Sequence, residues 1–587
     1  MVHKIVLLLC CLILFPISVN AFSPIAHTDV VPYQRIEYGT TFNFGVVAFS
    51  KGGIDRVDFA ISGQGYASGT KTTSTMRLNT RVATTSPGAE YPGVYEYYVE
   101  ISSSEFSTNG TITVIPTVYG NTSGSRVLPT ITLYVEGASD EAPVEAWISP
   151  TGNDSTGTVN NRNLPYATLA GAVTDIEAAN GGDCDGAIVY FEEGTYTISS
   201  GTTTTNNDRL TITRASGAAI ENTIITEGGS SWDTTLLKVS GLTLTSSGTN
   251  DPCLVVAGAW VDHCRLLGGG RTNSLYTNAT NCTGGYWTGN YNTNCGFGLR
   301  GNLNIARGVK VYYISEDLGQ NAKFVVNTVL DDMDPVGTGA HSDVFQGWGY
   351  GADNWLYYNI IATNTNYQYI YFKATYDNAQ DLAFVNVSIE LRSCSTGGGN
   401  GKIAGVYDHL LFWHNTLFAD LDVEFCGSIA WGSLWLDDDA FGYSNTNSSF
   451  IGNYFHRFWL HSSALPSWYL YGNANNNEAL YNHQRTSYNT EFDSSDGLTT
   501  YSYGTGVIDQ ADPESSTFGH PVEDSTIHNR LPSNITGIMC DALGNPRDST
   551  PDIGAFEYSS DAAPTNSIRA VTISELKVTD NLTAWAR

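Results

Sequence analysis

Apolar and polar residues alternate with a period of two through the first part of the chain. Val57, Phe59 and Ile61 are interleaved with Asp58 and Ala60, and Tyr95, Tyr97, Val99 and Ile101 with Glu96, Tyr98 and Glu100. Ile112, Val114 and Val118 obey the same rule, as do Ile131, Leu133 and Val135. Side chains on a strand point alternately to its two faces, so this period marks half-buried strands. Short alternating runs separated by Gly, Ser and Thr turns predict a small β-sandwich of immunoglobulin-like type over residues 22–137. The small, acidic stretch from Gly137 to Pro143 predicts a linker between separately cored domains.

Beyond the linker the texture changes. Leu169, Val173 and Ile176 recur at helical spacing and stop at Gly181-Gly182. An apolar strand, Ala187 to Phe191, and a turn at Gly194-Thr195-Tyr196 follow. After that one local pattern recurs: apolar residues, an Asn, then apolar residues again. It centres on Asn327, Asn359, Asn386, Asn415 and Asn453, at spacings of 32, 27, 29 and 38 residues. Irregular repeats of very short strands predict a solenoid, in which equivalent side chains stack about 4.8 Å apart. Asn suits such a stack because its amide bonds to those above and below and it tolerates left-handed turns. A β-propeller is the competing architecture, but its blades call for hairpin turns and more regular lengths. The chain reads as all-β, a sandwich followed by a parallel β-helix.

Composition narrows the partners. Among 587 residues, 28 are Lys or Arg and 58 Asp or Glu, for a net charge of −30, which argues against nucleic-acid phosphates and anionic membrane surfaces. With 41% hydrophobic and 12% aromatic residues the chain is not of disordered composition. Lys4, the apolar run Ile5 to Val19 and the small residues ending at Ala21 predict a secretory signal at 1–21, hence a secreted or cell-surface protein without a membrane span. Eight cysteines remain after cleavage, an even number compatible with disulfides outside the cell, and Cys282 with Cys295 is the first pairing to expect.

Three stretches carry a family likeness: Trp147 to Ser155 with Leu164 to Leu169; His341-Ser342-Asp343-Val344-Phe345-Gln346; and Asp541 to Arg547 with Asp552 to Tyr558. With them, residues 142–558 resemble the secreted right-handed parallel β-helix proteins of the pectate-lyase-like superfamily. The resemblance implies an opening strand and capping helix, an HxDxxQ element on one coil, and a closing segment. It is less specific for activity, since such proteins include polysaccharide lyases, glycoside hydrolases, epimerases and adhesins.

The densest chemistry runs from Asp331 to Gln346. With Ser342 and Val344 inward, His341 and Asp343 share the outer face. Taking Ile370 as the equivalent of Val344 one coil on brings Tyr369 and Tyr371 over that face, with Lys373 at its end. Lyase chemistry needs a base beside the uronate carboxylate and a cation to neutralise it. His341, Asp343 and Lys373 are the candidate catalytic groups, Gln346, Trp348, Tyr369 and Tyr371 the candidate sugar contacts, and Asp331, Asp332 and Asp334 the candidate Ca²⁺ ligands. The plainer reading has these residues bonding from coil to coil and capping turns. Asp437, Asp438 and Asp439 form a second acidic cluster, in which only Asp437 and Asp439 share a face, better suited to a solvated loop or a structural Ca²⁺ site than to hydrolysis. About half of the aromatics from Trp348 to Tyr371 are expected in the core, and His263, His409, His414 and His456 at ladder or turn positions. The expected function is action on extracellular polysaccharide, by a lyase first and by a non-catalytic glycan-binding rod second. The tail at 559–587 has no assigned role.

Overall fold

The structure is a computed structural model. It describes residues 23–558 except for 80–92, 138–141, 199–205, 228–235, 247–258, 268–280, 289–298, 334–342, 349–352, 374–378, 394–399, 420–432, 438–448, 461–468, 476–498, 501–520, 522–527, 530–537 and scattered single or paired positions. The expected signal segment, the tail, most of the linker, His341 and Asp334 lie outside the described residues.

The alternating segments of the front part form two mostly antiparallel sheets, of four and six strands. Val57, Phe59 and Ile61 are buried while Asp58 and Ala60 between them are not, as the period of two requires.

From Glu145 onward almost all pairing is parallel. Twenty-three strands join one long sheet and seven a second. The single α-helix among the described residues, Leu169–Ala179, starts where Thr168 accepts a hydrogen bond from the Gly171 amide (3.1 Å). It buries Leu169, Ala172, Val173 and Ile176 at the start of the long apolar core.

Successive rungs of the long sheet bend at one shared position. Strand pairing aligns Gly241, His263, Gly284, Gly308, Asn327, Asn359, Asn386 and His414 in a single column. All eight have left-handed backbones, with φ between +49° and +63°. This conformation penalises a β-carbon, so the column is filled by Gly, Asn and His, the last two able to bond locally. Asn359 donates to Asn327 Oδ1 (3.1 Å) and Asn386 to Asn359 Oδ1 (3.0 Å). The expectation that the five Asn mostly share one place holds for Asn327, Asn359 and Asn386. Asn415 and Asn453 occupy the next position, where Asn415 donates to Asn453 Oδ1 (3.0 Å) and accepts from the Val387 amide (2.9 Å). His414 takes the bend of that rung.

Before the bend, three rows of side chains divide the space. The middle row, Val239, Val261, Cys282, Ala306, Val325, Tyr357, Phe384 and Phe412, fills the interior. Tyr357 and Phe384 stack at 4.8 Å with their planes 13° apart, and Phe412 follows, tilted, 4.8 Å beyond Phe384. The rows on either side are polar early (Lys238, Ser240, Asp262) and apolar later (Phe324, Val326, Leu356, Tyr358, Val385, Leu411, Trp413). The apolar part belongs to the same buried cluster as the front module. Phe49 meets Tyr358 (5.2 Å) and Trp413 (6.1 Å) edge-on, and His27 stacks on Phe324 (4.8 Å).

Polar contacts fasten the same junction. The Asn354 side chain accepts from the Ala26 amide (2.8 Å) and donates to its carbonyl (2.5 Å), standing in for a neighbouring strand. Arg209 donates to Pro32 O (2.7 Å), Arg35 pairs with Asp208 (2.5 Å), and Arg126 pairs with Asp381, which also binds His409 Nδ1 (2.7 Å). The expectation of separate cores is therefore corrected: alternation along the rungs leaves apolar rows on the outer face, and the front module covers them.

Cys184, Cys264, Cys282 and Cys540 are all buried. Cys282 sits in the interior row, and Cys295, its expected partner, lies outside the described residues. Burial pushes the Cys264 and Cys540 thiols up to about 12.

Candidate functional site

The second parallel sheet is built from Leu299–Arg300, Gly319–Gln320, Asp343–Trp348, Gln368–Lys373, Asn400–Ala404, Ser433–Asp437 and Arg457–Leu460. Its register sets which chemistry meets. Phe345 pairs with Ile370 and Gly347 with Phe372, and Phe345, Ile370 and Phe372 belong to the interior core. Gly347 is obligatory at its place, because a β-carbon there would lie 2.3 Å from the Phe372 ring.

The intervening positions form two further rows in the register. One runs Gln346, Tyr371, Lys402, Trp435, Trp459; the other runs Trp348, Lys373, Ala404, Asp437. Tyr371 is thus directly opposite Lys402, and Lys373 is two residues along from Tyr371.

The register differs by one residue from the spacing read in the sequence. Ile370 is the partner of Phe345, not of Val344, so Lys373 comes opposite Trp348 and five positions away from Asp343. Asp343 itself has no exposed surface. Its amide donates to Asp317 Oδ1 (2.9 Å), and its Oδ2 accepts from Gln346 Nε2 (3.0 Å). Asp343 and Gln346 bond to each other within the buried wall of the rung, a structural task, instead of jointly facing a sugar. Trp348, Tyr369, Tyr371 and Lys373 keep places on strands of this sheet.

Two of the candidate calcium ligands, Asp331 and Asp332, are carried by the other sheet. Asp331 pairs with Thr363, and Asp332 is a left-handed residue (φ +70°) aligned with Tyr313 and Asn364 in a second bend column. Asp331 Oδ1 accepts from Thr363 Oγ1 (3.0 Å) and Asn364 Nδ2 (2.5 Å), while the Asn364 amide donates to Glu390 (2.9 Å). An oxygen committed to two donors is a poor cation ligand, and the described residues contain no metal-type grouping of three or more His, Cys, Asp or Glu.

Two tyrosines of the aromatic run drop out as sugar contacts or proton donors. Tyr357 and Tyr358 are fully buried, and burial holds both hydroxyls well above their usual range. Tyr357 donates to Ala322 O (2.9 Å), and Trp355 packs edge-on against Phe372 inside the core. His263, His409 and His414 occupy bend positions, as expected of ladder residues.

Lys402, Trp435 and Trp459 were not singled out from the sequence. The signal for them is faint but present: Leu434-Trp435-Leu436-Asp437 and Phe458-Trp459-Leu460 alternate, and only register shows that they extend the Tyr371 row. No family model matches the chain, and neither the curated proteins nor the solved structures contain one similar to it.

Proposed function

We propose that this is an exported polysaccharide-active protein, a right-handed parallel β-helix of the pectate-lyase-like kind with an immunoglobulin-like sandwich docked on one face. On this reading its substrate is a uronate-containing polymer, cleaved by β-elimination along the second sheet. The observation that carries it is the register pairing of Tyr371 with Lys402, with Lys373 two residues along from Tyr371 on the same strand. Lysine is scarce in so acidic a chain, and here two lysines and a tyrosine hold neighbouring places in the register of one sheet.

The roles follow from the chemistry of elimination. A base takes the proton beside the uronate carboxylate; the electron pair forms the new double bond; the glycosidic oxygen departs and takes up a proton. A cation beside the carboxylate stabilises the charge that develops there. One lysine serves as that cation, the other as base, and the Tyr371 hydroxyl protonates the leaving oxygen. Trp435 and Trp459, further along the row, suit stacking on neighbouring sugars. The lysines take over the neutralising role first assigned to calcium.

The test is a panel of acidic and neutral polysaccharides, followed separately by unsaturated-uronate absorbance and by reducing ends. Lys373→Ala, Lys402→Ala and Tyr371→Phe are each expected to lower turnover about 10²–10⁴-fold with the thermal midpoint unchanged. His341→Ala belongs in the same series as the remaining candidate base. Cleavage of no uronate polymer by the parent protein overturns the lyase assignment. Retention on such a polymer without cleavage favours instead a rigid glycan-binding rod, because the same rows then act as a binding face alone.

A further inference from the structure

The closing segment, residues 538–558, lies across the outer side of the long sheet beyond the bend. Ala542, Leu543, Ala555 and Phe556 bury Ile361 in a small cluster of their own, and the Ala555 amide donates to Thr416 Oγ1 (2.8 Å). Beside this cluster the segment carries three buried carboxyls, Asp541, Asp552 and Glu557. Arg547 is the one cation bonded to them among the described residues, and its side chain is fully buried. It pairs with Glu557 and donates to Asn386 Oδ1 (3.1 Å), the end of the asparagine stack. Asp541 accepts from the Asn545 and Glu557 amides (2.8 and 3.1 Å), and Asp552 from Asn529 and Tyr558 (2.5 Å each). The Asp552 amide in turn donates to Glu557 (3.2 Å).

The charges do not balance. His414, which faces the segment from the sheet, is held well below its ordinary value by burial and then by Arg547, so it adds no positive charge. His528 lies near Asp552 at the edge, partly exposed. Three carboxylates around one guanidinium away from water favour keeping a proton on one of them. Glu557 is the group that holds it: burial first, with Asp552 and Asp541 adding to it against Arg547, pushes its carboxyl up to about 8. Burial raises Asp541 and Asp552 as well.

We propose that the closing segment is a proton-operated latch, seated on Ile361, Asn386 and Thr416 while Glu557 is protonated and loosened when that proton is lost. The sign follows from linkage. The seated state binds a proton that the released state gives up, so seating is fully favoured below the ordinary glutamate value of 4.5. It weakens by up to about tenfold per pH unit as pH rises from there toward 8, and is flat above.

Hydrogen exchange of the full-length protein tests this, with amides of 541–558 followed from pH 5 to 9 in the parent and in Glu557→Gln. The ratio of their rates at each pH cancels the intrinsic chemistry of exchange. The expected ratio, parent over variant, climbs at least about tenfold across this range. A ratio that does not change with pH overturns the latch. Asp552→Asn serves where Glu557→Gln does not fold: it removes a negative charge that helps Glu557 keep its proton and leaves Arg547 freer to favour the carboxylate, so the parent's loosening midpoint is expected to move to lower pH. A midpoint that stays or rises refutes the proposal.

Discussion

Replacing Asn359 isolates what the bend column contributes. Its amide donates to Asn327 Oδ1 and its carbonyl accepts from Asn386 Nδ2, both within buried surroundings, and its φ is +53°. Asn359→Ala removes both bonds, at about 0.5–1.5 kcal/mol each. It also places a β-carbon residue without a local polar partner in the left-handed region, at about 1–2 kcal/mol. The expected loss is therefore about 2–5 kcal/mol. Asn359→Gly loses the same bonds but not the conformational cost, offset by about 0.5–1 kcal/mol of extra chain entropy. It is expected to be the milder change by roughly 0.5–1 kcal/mol. Urea unfolding monitored by intrinsic fluorescence measures both, read as midpoint shifts at constant slope. Glycine already holds this position at Gly241, Gly284 and Gly308, so the backbone accommodates it. If alanine is tolerated as well as glycine, the left-handed column is not what selects Asn here. A loss under about 0.5 kcal/mol for both refutes the stabilising role of the stack itself.

Phe49→Ala at the junction is expected to cost about 3–5 kcal/mol and to lower the stability of the front module and the rungs together, because Phe49 packs on Tyr358 and Trp413. Two well-separated unfolding transitions in the parent protein contradict the shared core. Burial, helped by the Lys323 charge, pushes His27 down to about 4 from 6.5, so its neutral form is the one the junction favours. Stability from this residue is present above pH 6.5 and lost as pH falls through 4; His27→Phe is expected to flatten the thermal midpoint over that interval, and an unchanged slope argues against it. Since part of the His27 ring remains exposed, the full effect is smaller than the shift alone implies.

Much of the architecture was legible because strand alternation is a local property. Val57, Phe59 and Ile61 bury and their neighbours do not, whatever packs above them, and Thr168 caps its helix from within its own turn. The Asn pattern was legible for a similar reason: a left-handed bend excludes most residues, so it leaves Asn and Gly as marks at each rung. The marks slipped at Asn415, where His414 takes the bend and the motif shifts by one, since an Asn beside the bend looks the same in sequence as an Asn within it. Register was the decisive quantity that local pattern does not contain. A shift of one residue between Val344 and Phe345 as the partner of Ile370 reverses which side chains share a face. That shift moved Lys373 away from Asp343, and the next pairing along the sheet set Tyr371 against Lys402. It follows from interior packing across rungs, where Phe345, Phe372 and Tyr357 must interlock. Likewise, Tyr358 and Trp413 look like exposed aromatics in a period-two strand, and their burial was decided only when the front module docked. What the sequence determined by itself was the set of residues each backbone position tolerates; what the tertiary structure decided was which of them meet, because contacts between rungs and modules depend on pairing across distant parts of the chain.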